Sequence, residues 1–183
     1  YTAFKYILVV LDCFSKFLWL IPLKDKTGLE TSRALERIVK TSKRTPTFLW
    51  TDKGGEFRNK DTRAVLKKYG ITLYHTQNAE KSCMVERVIQ TINNKFRILF
   101  EVSQNKNWVT LLPTILKEYN EQDVHRTTKM TPLEASKKKN EDKIYRHAYG
   151  EDVRRPLWLS FPKTKVQSWR SRTYINIQVC VST

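Results

Sequence analysis

Cysteine is scarce in this chain and badly spaced for any metal or disulfide framework. Cys13, Cys83 and Cys180 are the three in 183 residues. They form no C-x-x-C pair, and the odd count argues against a set of bridges. A reducing compartment, cytosol or nucleus, fits that usage. Long apolar runs are missing as well: no stretch reaches the roughly 18 residues that a membrane-spanning helix needs. No signal-peptide pattern is visible. The first residue is Tyr1, directly before a strand-like run, as expected of a piece of something longer. Repeats and long linkers are also absent. Acid is in short supply, with 18 Asp and Glu against 34 Lys and Arg, a net charge of +16 and an isoelectric point near 9.9. Such an imbalance attracts polyanions, of which nucleic acid is the commonest.

What is present is enough for one packed domain. Hydrophobic residues make up 40% and aromatics 11%, so the chain can bury a core and is not a disordered polymer. Tyr6 to Leu11 is a continuous apolar run of strand length, which predicts a strand covered on both faces. Cys13 to Lys16 can turn the chain into a second strand from Phe17 to Leu23. Leu29, Ala34, Leu35, Ile38 and Val39 recur at helical spacing over residues 28–40. Thr47 to Thr51 and Ile71 to His75 read as further strands, and residues 59–69 as a short helix stopped by Gly70. Residues 82–100 and 108–119 read as helices, and Thr131-Pro132 as the capped start of another. The pattern predicts an α/β domain over residues 1–150 that opens with a hairpin, with a mixed sheet of about five strands flanked by helices. Residues 151–183 form a C-terminal tail without an assignment. Most of the basic excess lies in the first 150 residues.

Three carboxylates stand at element ends. Asp12 closes the first strand, and Asp52 follows the third within "TDKGGEF" (51–57). If those strands are parallel neighbours, both acids emerge at one sheet edge, where such sheets bind ligands. Glu86 is near the start of the long helix. Val85, Val88, Ile89, Ile92, Phe96 and Leu99 give that helix a buried stripe, and Glu86, Gln90, Asn93 and Arg97 an adjoining polar one. Three converging acids stay ionised together only beside a cation, and oxygen ligands suit Mg²⁺ or Mn²⁺. Two such ions about 4 Å apart support phosphoryl transfer. An acid that ends a strand is more often a turn or cap residue, so each is informative only in combination.

"YILVVLDCFSKFLWLIPLKDKTG", "TDKGGEFRN" and "CMVERVIQTINNKFR" resemble the catalytic core of the retroviral-type integrases, most closely those of Maverick or Polinton DNA transposons. "YNEQDVHRTTKMTPLEA" (119–135) resembles the segment that follows the catalytic helix. The resemblance covers residues 5 to about 150. It implies a ribonuclease H-like fold and a D, D, E metal site carried by Asp12, Asp52 and Glu86, the last two 34 positions apart. It implies two Mg²⁺ (or Mn²⁺) ions, 3′-end processing and strand transfer of transposon DNA, a homo-oligomer when active, and work in the nucleus. Lys137-Lys138-Lys139 is a short basic run that fits nuclear entry. Lys53, Lys81, Arg87, Asn93, Lys95 and Arg97 are the expected DNA contacts. Gly54 and Gly55 are expected to turn the chain beside Asp52 at φ values that other residues avoid. Phe57 is expected to anchor that turn in the core, and Glu56 to support it rather than hold metal.

Departures from the resemblance suggest a second reading. Relatives commonly read E-R-F-N-R-T-L where this chain has Glu86-Arg87-Val88-Ile89-Gln90-Thr91-Ile92. Ile89 and Gln90 thus replace an Asn and an Arg expected near DNA. No N-terminal zinc-binding module is legible. A catalytically weak or domesticated nucleic-acid-binding derivative is therefore the alternative to an active integrase core. A nuclease of the same fold that cuts RNA in hybrids is a third.

Overall fold

The computed structural model describes residues 3–42, 44–51, 54–75, 79–103, 107–149 and 174–181, with the backbone alone for 75, 79–83, 148–149 and 174–181. The chain opens with β1 (Tyr6–Asp12) and β2 (Leu18–Leu23), an antiparallel hairpin in which Tyr6 faces Leu23 and Leu11 faces Leu18. Helix α1 (Gly28–Ser42) leads to β3 (Phe48–Thr51). The short helices α2 (Gly55–Arg58) and α3 (Lys60–Lys68) precede β4 (Thr72–His75). Then come α4 (Ala79–Ser103) and α5 (Trp108–Lys117), and a π-helical turn over Glu118–Gln122. Helices α6 (Pro132–Ala135) and α7 (Glu141–Tyr149) follow, and β5 (Tyr174–Val181) is the last strand.

Strand alternation sorts β1 into two layers. Leu8 and Val10 pack with Ala34, Leu35 and Ile38 of α1, Leu49, Phe57 and Leu66. Ile7, Val9 and Leu11 pack on the other side with Val85, Val88, Ile92 and Phe96 of α4 and Leu111, Leu112 and Ile115 of α5. Leu8, Val10 and Leu11 are almost fully excluded from water. Burying a side chain of that size contributes about 1.5–3 kcal/mol. The continuous apolar run of β1 follows from having helices on both faces. The expected helix starts and stops are present. Thr131 accepts from the Glu134 N–H in a capping box with Pro132 at the first position. Gly70, at φ 64, follows α3 in the left-handed region where a Cβ is disfavoured.

The sheet order is β2-β1-β5-β3-β4. The C-terminal strand lies in its middle, antiparallel to β1 (Leu11↔Asn176, Tyr6↔Val181) and parallel to β3 (Phe48↔Tyr174, Thr51↔Ile177). Part of the tail is therefore a member of the sheet, and residue 150 does not divide sheet from tail. The expected adjacency of the first and third strands is also incorrect: β5 separates β1 from β3, and those two run antiparallel to each other.

The edge strand β2 is tied down from outside the sheet. Asn120, buried in the π-helical turn, accepts from the Leu18 N–H at 2.9 Å and donates to the Leu18 carbonyl at 2.9 Å. One side-chain amide thus does for Leu18 what a further strand would. Asn120→Ala leaves both backbone groups buried and unpaired. A loss of about 2–4 kcal/mol is expected in urea unfolding, whereas an exposed α4 substitution such as Asn93→Ala costs under about 0.5 kcal/mol.

Candidate nucleic-acid and metal site

Asp12 is committed to the hairpin turn. Its Oδ1 accepts from the Phe14 N–H at 3.0 Å and its Oδ2 from Ser15 Oγ at 2.6 Å. Ser15 Oγ in turn accepts from the Phe17 N–H at 3.2 Å. Two backbone bonds, Asp12 N to Phe17 O at 2.9 Å and Lys16 N to Asp12 O at 2.8 Å, close the turn around them. The carboxylate is only 4% exposed. Burial pushes its pKa above the usual carboxylate range, and the bonds from Ser15 and Phe14 oppose that shift without cancelling it. A carboxylate with both oxygens taken up by its own turn is an Asx-type turn residue.

Direction settles its relation to the second acid's strand. Asp12 is level with Ile175, and Ile175 is level with Leu49 near the start of β3. The carboxyl ends of β1 and β3 therefore point to opposite sheet edges, and the requirement that brought Asp12 beside Asp52 fails. Two strands run parallel beside β3, β4 (TLYH) and β5 (YINIQVCV), and neither contains a carboxylate.

Asp52 and Lys53 lie outside the described residues; the residues that follow them are described. Phe57 is fully buried in the α1-side core, as expected. Glu56 is 7% exposed and pairs with Lys26 Nζ at 3.1 Å, which makes it a local support. Gly54 departs from expectation: its φ is −56, and Gly55 opens α2. A Cβ at Gly54 would sit 2.5 Å from Glu56 Oε2, so a side chain there would require the end of the Glu56 side chain to shift.

Helix α4 carries the stripes read from its sequence. Val85, Val88, Ile92 and Phe96 are buried, and Glu86, Gln90, Asn93 and Arg97 are exposed. Arg87 is exposed as well, and the Lys81 side chain lies outside the described set. Lys95 is not available to a phosphate. Its Nζ bonds to Glu118 Oε1 at 2.5 Å and Asp123 Oδ2 at 2.9 Å, with the side chain 13% exposed. Burial lowers its pKa, but the bonds to Glu118 and Asp123 outweigh that and the net shift is upward. Its spacing on the helix matched a polar position, but acids from the π-helical turn cannot be foreseen from local periodicity. Among the described residues no group of three His, Cys, Asp or Glu could hold a metal ion, and no helix is long and apolar enough to cross a membrane.

Comparison with known proteins places this geometry. The integrase core domain family matches residues 1–81. An uncharacterized transposon-derived protein of Caenorhabditis elegans is 25% identical over 182 residues, 93% of this chain. The Pol polyprotein of radiation murine leukemia virus is 31% identical over 135 residues, 72% of this chain. The chain spans 62% and 23% of the lengths of these two relatives. Among solved structures, the HTLV-2 integrase catalytic core domain in complex with magnesium superimposes with a TM-score of 0.64 at 22% identity. That match covers 75% of this chain and 88% of the other. The fold is the ribonuclease H-like α/β fold of integrase catalytic cores.

The turn network yields a test of Asp12. Because the folded pKa lies above the unfolded one, the native state holds this proton more tightly. Stability then falls as pH rises from about 4, the unfolded value, through the raised folded value, and levels off above it. Asp12→Asn removes the buried charge and keeps the bond from the Phe14 N–H, and its NH2 donates to Ser15 Oγ where the carboxylate accepted from it. Its urea-unfolding stability is therefore expected to lack that fall. Asp12→Ala leaves the Phe14 N–H unpaired and is expected to lose about 1–3 kcal/mol. If Mn²⁺ raised the melting temperature of the wild type but not that of Asp12→Asn, the carboxylate would be a metal ligand and this assignment would fail.

Proposed function

We propose that this chain is the DNA-binding core of an integrase-type protein from a mobile element. The observation that carries the reading is the integrase-core fold combined with a net charge of +16. A surplus of that size neutralises phosphates and makes affinity salt-dependent. Within this reading Asp52 and Glu86 are the two acids of the site: one follows β3, and the other faces solvent near the start of α4. Arg87, Asn93 and Arg97, exposed on the same helix, are DNA contacts, and Lys53 and Lys81 are assigned to the same role from the sequence.

The residues do not fit a pair of divalent ions. Asp12 is held in its turn, and neither strand beside β3 supplies an acid in its place. No Mg²⁺- or Mn²⁺-dependent step is therefore assigned to this chain alone. The proposal favours the nucleic-acid-binding derivative over a self-sufficient strand transferase. Transfer chemistry (3′-end processing and joining) requires a third carboxylate at the carboxyl end of a strand parallel to β3. Affinity to Maverick or Polinton integrases, a nuclear location and self-association belong to the same proposal. They rest on the sequence motifs and on the transposon-derived and viral relatives.

Two assays on the full chain test it. Fluorescence anisotropy with duplex DNA at physiological salt is expected to give binding in the micromolar range, unchanged by EDTA. A branched DNA substrate in Mn²⁺ is expected to show no joining or cleavage above background. Joining that disappears in Asp52→Asn would establish the active transferase instead. Cutting confined to an RNA–DNA hybrid would point to the nuclease.

A further inference from the structure

Lys16 of the β1–β2 turn reaches the start of α4, and His125 lies near enough to feel the charges of Lys16 and Arg87. Lys16 ends that turn at φ 65, a conformation seldom adopted by a lysine unless its surroundings impose it. Its Nζ donates to the Cys13 carbonyl at 2.6 Å and approaches Met84 Sδ of α4 at 3.4 Å. The ammonium is thus pinned against the start of α4 instead of extending into water. An ammonium has three donors, and a thioether is a weak acceptor, so hydrogen-bonding capacity remains. Arg87 lies three residues beyond Met84, on the same helix face, and is exposed.

His125 arrives from the loop before α6. Its backbone is fixed by bonds from its N–H to Met130 O at 3.0 Å and from the Lys129 N–H to its carbonyl at 2.8 Å. Its Nδ1 accepts from the Thr127 N–H at 3.3 Å. In the neutral ring the proton is then on Nε2, which is left as a donor. Burial, then the charges of Lys16 and Arg87, push this imidazole below its ordinary range, and no carboxylate acts on it in the opposite sense. Asp12 lies near Lys16, but its oxygens serve Phe14 and Ser15.

Three donors gathered with no acceptor among them are complementary to an anion that offers only acceptors. A phosphate oxygen is such an anion, and the main chain of a nucleic acid presents it repeatedly. We propose that Lys16, Arg87 and His125 form a phosphate-contact site that grips a nucleic-acid backbone beside the start of α4. The site rests on the DNA-binding reading above and specifies where on the surface that contact is made. None of the three needs a metal ion.

The test is anisotropy with duplex DNA across a salt series, using the full chain, Arg87→Gln, His125→Gln and a control, Arg63→Gln, exposed on α3. Arg87→Gln is expected to weaken binding about 5–10-fold at 0.1 M salt. It should also reduce the slope of log affinity against log salt by about 0.9, the release of one phosphate's counterions. His125→Gln is expected to weaken binding about threefold with the slope nearly unchanged, and Arg63→Gln to match the wild type. Because Lys16 also holds the turn, the second readout is the His125 ring resonances, which should move on adding either inorganic phosphate or DNA. Wild-type binding together with an unaltered slope in Arg87→Gln and unmoved His125 resonances would overturn the site. Absence of DNA binding by the wild type would contradict the DNA-binding reading, and this site with it.

Discussion

The pairing of β5 on both its edges is the constraint on which the rest of this structure depends. A central strand satisfies its backbone donors and acceptors toward two neighbours, and those neighbours inherit their positions from it. Here β5 runs antiparallel to β1 and parallel to β3, which fixes the relative direction of the two strands on which a catalytic site was expected. With β5 in place, β1 and β3 run in opposite directions, and the last residue of β3, Thr51, is level with Val10 instead of Asp12. The hairpin can then use Asp12 for its own turn. The helix layers on either face, α1 and α3 against α4 and α5, are compatible with any central strand of this length. The sheet is therefore integrase-like in outline, while its chemistry depends on what occupies the centre.

Much of this was legible from local pattern, because local pattern is what sets it. The buried run of β1, the amphipathic stripe of α4, the Thr131 capping box and Gly70 after α3 each follow from a few consecutive residues. What was not legible involves partners distant in sequence. Asp12 ends a strand in the manner of a catalytic acid and also of an Asx turn; only the bonds from Phe14 and Ser15 distinguish the two. Lys95 has the spacing of a surface cation, yet the π-helical turn brings Glu118 and Asp123 to it. Gly54 signalled a turn at positive φ, but its φ is −56 and its neighbour is the Glu56 carboxylate. The tail was the largest gap. Its apolar residues alternate with polar ones, a pattern typical of a strand covered on one face, and nothing in it announces a central position.

Charge and chemistry separate in this protein. The basic surplus lies mostly in the α/β domain, on the same polypeptide that buries its hairpin acid and pairs off Lys95. Binding a polyanion asks only for exposed cations in roughly the right places, and Arg87 and Arg97 of α4 are exposed. Two-metal catalysis asks for carboxylates within ångströms of each other, which one misplaced strand defeats. That difference in tolerance is why the integrase-type fold and its positive charge do not by themselves imply a complete metal site.

The most direct measurement is the set of interstrand proton contacts seen by NMR in the full chain. Contacts between Val9 and Gln178 and between Leu11 and Asn176, in the antiparallel pattern, are the predicted result. Contacts that join β1 directly to β3 in a parallel pattern would contradict the account and return Asp12 to the side of Asp52.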